Sequence, residues 1–173
     1  MSSNSRLIIL TEIALMVGLA IVLSLFTLNV VQSFYLEFAV IPLLYLTFRH
    51  GIKIGLIADL LYGILVIVLG QGQFLILVQI VLEYLLAPMA LSVAGFFRKK
   101  IFLGTFIAVF FKYFFHFIAG ILFWGQFAWK GWPVIPYSFV TNGVSALATA
   151  TVASLLLSFL FKKLPVQYGR IDS

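Results

Sequence analysis

Six ionisable side chains in this sequence, Glu12, Glu37, Asp59, Glu83, Lys112 and His116, lie in or near long apolar runs. A charge in such a run is costly and needs a reason. Glu83 and His116 have the most chemistry around them. His116, Gly120 and Trp124 follow at i, i+4 and i+8, so on a helix they share one face. On that face His116 offers a polar edge, Gly120 leaves room and Trp124 adds a flat π surface. Tyr84 follows Glu83, and Tyr137 and Asn142 open a later apolar run. A carboxylate accepts from an amine or a protonated heterocycle, an amide reads a ring edge, and aromatic faces hold a cation. The chemistry implied is capture of a small, positively charged heteroaromatic compound.

The elements that position these residues are membrane helices. The chain is 64% hydrophobic and 9% charged, with a mean hydropathy of +1.20. A soluble domain needs more polar surface, and its helices need polar faces that most of these segments lack. Apolar runs of about 20 residues, enough to span a bilayer, recur along the chain. Helices are expected at about 7–28, 33–48, 51–70, 74–97, 101–124 and 138–161. The first run is too long for a signal peptide and shows no small-residue cleavage site, so it reads as a span. No repeat or linker divides residues 1–173, which predicts one domain: an all-α integral membrane protein with six transmembrane helices in a single bundle.

Charge orients the bundle. Arg6, Arg49, Lys53, Arg98, Lys99, Lys100, Lys162, Lys163 and Arg170 fall on one side of a six-span arrangement, and only Lys130 falls on the other. The positive-inside rule then makes both termini cytoplasmic. This distribution accounts for the net charge of +6 without invoking nucleic acid. The longest connection, 125–137, becomes extracellular and carries Trp129 and Trp132, either as interfacial anchors or as part of a lid.

With this topology, Glu83 and His116 lie at matching depth. Counted from the outer ends of helices four and five, they are roughly 12–14 Å in. Singly, His116 could bond a neighbouring helix and Trp124 could anchor the interface. The shared depth favours a pocket in the outer half. Asp59 and Lys112 each fall near the middle of a helix and could form a structural pair, while Glu12 lies near the inner side and Glu37 near the outer.

Absences narrow the function further. The sequence contains no cysteine and no Gly-rich loop ending in Gly-Lys-Ser/Thr. Its two histidines lack metal-ligand spacing, and no serine or threonine forms a convincing nucleophile–base pair with His116. No internal symmetry of a secondary transporter is evident. A small binder that draws energy from another protein fits best, with no cofactor and no metal.

Several segments resemble the thiamine-specific S component of energy-coupling factor transporters, over essentially the whole chain. They are Leu82-Glu83-Tyr84-Leu85-Leu86-Ala87-Pro88, Lys112-Tyr113-Phe114-Phe115-His116-Phe117-Ile118-Ala119-Gly120, Phe123-Trp124, Ala128-Trp129-Lys130-Gly131-Trp132, Tyr137-Ser138 and Asn142-Gly143. The resemblance implies a non-enzymatic, multi-pass plasma-membrane subunit that captures thiamine from outside. Its implied partners are a transmembrane coupling protein and two cytoplasmic ATPases. It also implies that Glu83 binds the aminopyrimidine with His116, Tyr137 and Asn142, that Trp124 stacks on a ring, and that Tyr84 lies near the thiazolium and hydroxyethyl end. Ala14 and Gly18, a small-xxx-small pair on helix one, match residues that face the coupling protein in the family. Internal packing is their alternative use.

This sequence departs from the family pattern near the entrance. Phe34-Tyr35 and Tyr62 stand where tryptophans are expected, and Gln73, beside Phe74, replaces a tyrosine. Tyr35, Tyr62, Trp129 and Trp132 are therefore read as lid or entrance residues. The rivals are an S component for riboflavin or biotin, an intramembrane enzyme using Glu83 and His116 as acid and base, and a structural scaffold. An anionic ligand such as biotin suits a carboxylate and aromatic cage less well.

Overall fold

The computed structural model describes residues 3–31 and 33–163. Arg170, counted above as an inside charge, lies outside the described residues. Among the described residues six helices of more than ten residues follow one another: α1 (Ser3–Ser24), α2 (Val40–His50), α3 (Ile52–Val68), α4 (Leu77–Phe97), α5 (Ile101–Phe123) and α6 (Val134–Lys163). Four of them, α1, α4, α5 and α6, are long and apolar enough to cross a membrane. Their exposed faces carry large apolar side chains, such as Leu7, Leu15, Phe102, Phe114 and Phe159, as lipid contact requires.

The second expected span is shorter and differently built. Strands β1 (Leu28–Val31) and β2 (Phe34–Leu36) form an antiparallel hairpin before α2, with an irregular register between Asn29 and Val31. Valines and aromatics favour this pairing, and Ser33 takes a positive φ of 82° at the turn. Helix α2 has only 11 residues. It rises about 16 Å, near half a hydrocarbon core. The hairpin occupies the remaining depth, with its free backbone amides satisfied by α6: Tyr35 N donates to Ser145 Oγ (2.9 Å) and Glu37 N to Thr149 Oγ1 (3.2 Å). These hydroxyls lie roughly 16 and 22 Å along α6 from Val134, so the hairpin reaches well into the bundle.

Chain reversals at the opposite, Lys/Arg-rich end are tight. Gly51, at φ 87°, joins α2 directly to α3, and its amide caps Thr47 O at 2.8 Å. Arg98 donates to the terminal carbonyls of Phe48 and Arg49. Glu12 bonds Arg49 (2.8 Å) and His50, tying α1 to this corner. The fully buried core lies towards the same end, where Leu43, Leu44, Leu46, Phe48, Leu91, Val109 and Leu157 meet. Asp59 is also fully buried and does not pair with Lys112. Neither of its carboxylate oxygens has a hydrogen-bond partner among the described residues.

Helix α4 is irregular where the site lies. It begins as an α-helix, widens into a π turn over Val81–Leu86, and ends as a 3₁₀ helix over Ala90–Phe97. Pro88 has no N–H to return to Tyr84 O, four residues back, so the regular ladder fails in the turn before it. Ala87 N bonds Leu82 O, five residues back, instead. Glu83 sits inside this π turn, a feature that often marks functional sites. Gly63 lets α3 press against the same place, since a Cβ there would overlap Tyr84 O.

Candidate functional site

A cavity of about 500 Å³ opens at the hairpin end of the bundle, within the size range of small-molecule sites. Glu83, Tyr84, His116, Trp124, Tyr137 and Asn142 all line it, together with Tyr35. A smaller space of about 280 Å³ adjoins it, sharing Glu37, Glu83, Tyr84 and His116, and Tyr62 lines this second chamber. The hairpin, α4, α5 and α6 supply most of the walls of the larger cavity, with Gln73 from the α3–α4 connection and Phe127 from the 125–137 segment.

The polar groups form one connected chain. Glu83 Oε1 accepts from Trp124 Nε1 at 2.8 Å and faces His116 Nδ1 at 3.8 Å, while its Oε2 accepts from Gln79 Nε2. Lys112 Nζ lies 3.1 Å from His116 Nε2 and donates to both oxygens of Glu37, at 2.7 and 2.8 Å. An ammonium has only donors, so His116 Nε2 must accept from it. That contact turns the ring's Nδ1 edge towards Glu83.

Charge accounting follows from these bonds. Glu37 and Lys112 neutralise each other as a bidentate pair, with Lys112 only 4% exposed. Glu83, whose side chain is 10% exposed, faces an indole, an amide and an imidazole, and no Lys or Arg among the described residues bonds it. The cavity therefore presents an acidic side chain that no Lys or Arg among the described residues answers, walled by Tyr35, Tyr84, Trp124 and Tyr137. A cation with a flat apolar body completes it.

Around this centre the mouth is partly closed. Ser33, at the hairpin turn, shares a 2.7 Å hydrogen bond with Tyr137 Oη. Trp129 stands between hairpin and α6, with ring centroids 5.8 Å from Phe34 and 5.3 Å from Tyr137, and Trp132 packs edge-on against it at 5.0 Å. Neither tryptophan lines the cavity; Trp129 braces the residues that do. Gly120 does line it, but the room it leaves is taken by α6: a Cβ would collide with Ser138 Oγ. The glycine serves close helix approach as well as ligand space.

Sequence reasoning passed over several lining or supporting groups. Glu37 and Lys112 were left without firm partners, and Tyr113, Ser138, Thr141 and Gln79 were not singled out. Gln79 had a readable signal, being an amide one helical turn before Glu83 in an apolar run. Ser138 and Thr141 share the helical face of Tyr137 and Asn142 at three- and four-residue spacing.

A model of the family described as thiamine transporter protein (Thia_YuaJ) matches residues 10–168. The thiamine transporter ThiT of Lacticaseibacillus paracasei is 32% identical, over 95% of this chain and 92% of that one. Its counterpart in Bacillus subtilis is 30% identical, over 95% and 96%. A solved structure of ThiT from Listeria monocytogenes superposes with a TM-score of 0.88 at 33% identity, covering 94% of this chain and 97% of that one.

Proposed function

The chain belongs to the thiamine transporter protein family, and from that premise we propose that Glu83 and the aromatic walls around it hold thiamine. The protein is a thiamine-binding S component, a multi-pass protein of the plasma membrane whose role is transport rather than catalysis. One observation carries the site reading: Glu83, 10% exposed in the cavity wall, meets an indole, an amide and an imidazole but no Lys or Arg among the described residues. Thiazolium bears a permanent positive charge, so it supplies the missing counterion without any proton transfer. An aromatic cage adds about 0.5–2 kcal/mol of cation–π attraction.

The aminopyrimidine end needs acceptors and donors together. Glu83 accepts from its amino group, His116, Tyr137 and Asn142 complete the polar contacts, and Trp124 stacks on a ring. Tyr84 lies beside the thiazolium and hydroxyethyl end. The hairpin and Trp129 form the outer cover. With the Lys/Arg-rich end cytoplasmic, the cavity faces outside, so capture occurs there and release follows reorientation within the membrane.

Energy comes from partners: a transmembrane coupling protein and two cytoplasmic ATPases. Support for a coupling surface comes from α1, where Ala14 and Gly18 are exposed and a Cβ on Gly18 would meet nothing within 4 Å. Internal packing therefore does not account for this small-residue pair, and a partner helix fits there.

The test is a titration of detergent-purified protein followed by tryptophan fluorescence, with riboflavin and biotin as controls. Saturable quenching by thiamine alone, largely lost in Trp124→Ala, is expected. No response to thiamine, or an equal response to riboflavin, would refute the ligand assignment.

A further inference from the structure

Gln79 is fully buried in an apolar helix, a position where an amide is costly unless its hydrogen bonds are made. They are made in two directions. Towards the site, its Nε2 donates to Glu83 Oε2. Towards the α3–α4 connection, the same Nε2 donates to Gln73 O at 3.0 Å, and its Oε1 accepts from Leu75 N at 3.2 Å. A second side chain of the site converges on the same residue: Tyr84 Oη accepts from Gln73 N at 2.9 Å and lies 3.2 Å from Gln73 O. Gly72 lies flat on the Tyr84 ring, where a Cβ would overlap it, and Phe74 packs on that ring at 5.2 Å.

The geometry points to Gln79 as a positioning residue that fixes the Glu83 carboxylate and couples its orientation to the 70–76 connection. This rests on the reading of Glu83 as the carboxylate that accepts from the aminopyrimidine. By occupying Oε2 with a neutral donor, Gln79 leaves Oε1 turned towards Trp124, His116 and the cavity, without cancelling the charge that a cation must meet. A carboxylate in a π turn has no regular helical neighbour to hold its rotamer, and Gln79, one turn earlier, supplies that hold. Because one amide bonds both Glu83 and Gln73, a shift of the carboxylate on ligand capture moves the connection with it. The wall on the α3–α4 side is thereby a ligand-responsive element.

Two measurements decide this. In the first, Gln79→Leu is titrated with thiamine and with the analogue carrying a ring carbonyl in place of the amino group. Loss of a hydrogen bond to a charged group predicts about 10-fold weaker thiamine binding, and under about 2-fold change for the analogue, which cannot make the amino contact. Equal weakening of both ligands would make Gln79 merely structural, and unchanged thiamine binding would remove it from the site; either overturns the proposal. The second needs no ligand and no change at Gln79: amide hydrogen exchange of residues 70–76 in the wild type and in Glu83→Ala. Faster exchange at Gln73 and Leu75 in the variant is expected, and identical exchange would overturn the coupling. Failure of the wild type to bind thiamine would count against the functional reading, while the ligand-free exchange still decides the link.

Discussion

The two ends of this bundle both hold partly buried glutamates, and the partners of those glutamates differ. At the Lys/Arg-rich end, Glu12 meets a guanidinium and an imidazole, Arg49 and His50, so its charge is answered within the protein. At the hairpin end, Glu37 meets Lys112 in the same closed fashion, but Glu83 meets an indole, an amide and an imidazole and no Lys or Arg among the described residues. The packing follows the same division. The closed end is filled by Phe48, Leu43 and Leu44, all at most 1% exposed, whereas the open end keeps a cavity of about 500 Å³. In a membrane protein an intramembrane carboxylate is a pointer to function. Here the charge of its neighbours separates a structural carboxylate from one that awaits a ligand.

Substitutions that alter this charge balance sharpen the contrast. The largest effect is expected from Lys112→Met, which strands Glu37 and adds a second unanswered charge to the cavity. Breaking a buried pair in this way costs about 3–5 kcal/mol. A fall in the thermal unfolding midpoint in detergent, with loss of thiamine protection, would register it. An unchanged midpoint would mean that Glu37 and Lys112 are not paired in the folded protein.

Glu83→Gln should act on binding rather than on folding. It removes a charge-assisted contact while keeping shape, and about 2–3 kcal/mol of thiamine affinity should go with it. The unfolding midpoint without ligand should hardly move. Near-unchanged affinity would take Glu83 out of the site and erase the difference between the two ends.

Much of this contrast was legible in the residues. Apolar run lengths and the side of each Lys and Arg pointed to six helices, counting depth from their ends paired Glu83 with His116, and the helical face of His116 added Trp124. The hairpin was not legible. Its valines and aromatics run straight into the apolar residues of α2, and periodicity alone does not separate a short buried strand from a helix in such a run. Nor could spacing assign the partner of Lys112, because Glu37 lies 75 residues away and is delivered by that hairpin. Gln79 escaped for a different reason: attention to ionisable groups passes over an amide whose importance lies in what it holds.

The smallest effect belongs to the other end. Glu12→Gln breaks a partly exposed bridge to Arg49, and about 1 kcal/mol of stability is expected to go, with thiamine affinity unchanged. Isothermal titration of the variant checks this. A large affinity loss would show that the two ends are energetically linked.

The most direct measurement compares thiamine with its neutral isostere, in which a thiophene ring replaces the thiazolium, by titration against the wild-type protein. If the cavity holds one unanswered negative charge, thiamine should bind at least about 10-fold more tightly, since shape and stacking are shared and only the charge differs. Equal affinity for the two would contradict the account, because the charge of Glu83 would then play no part in choosing the ligand.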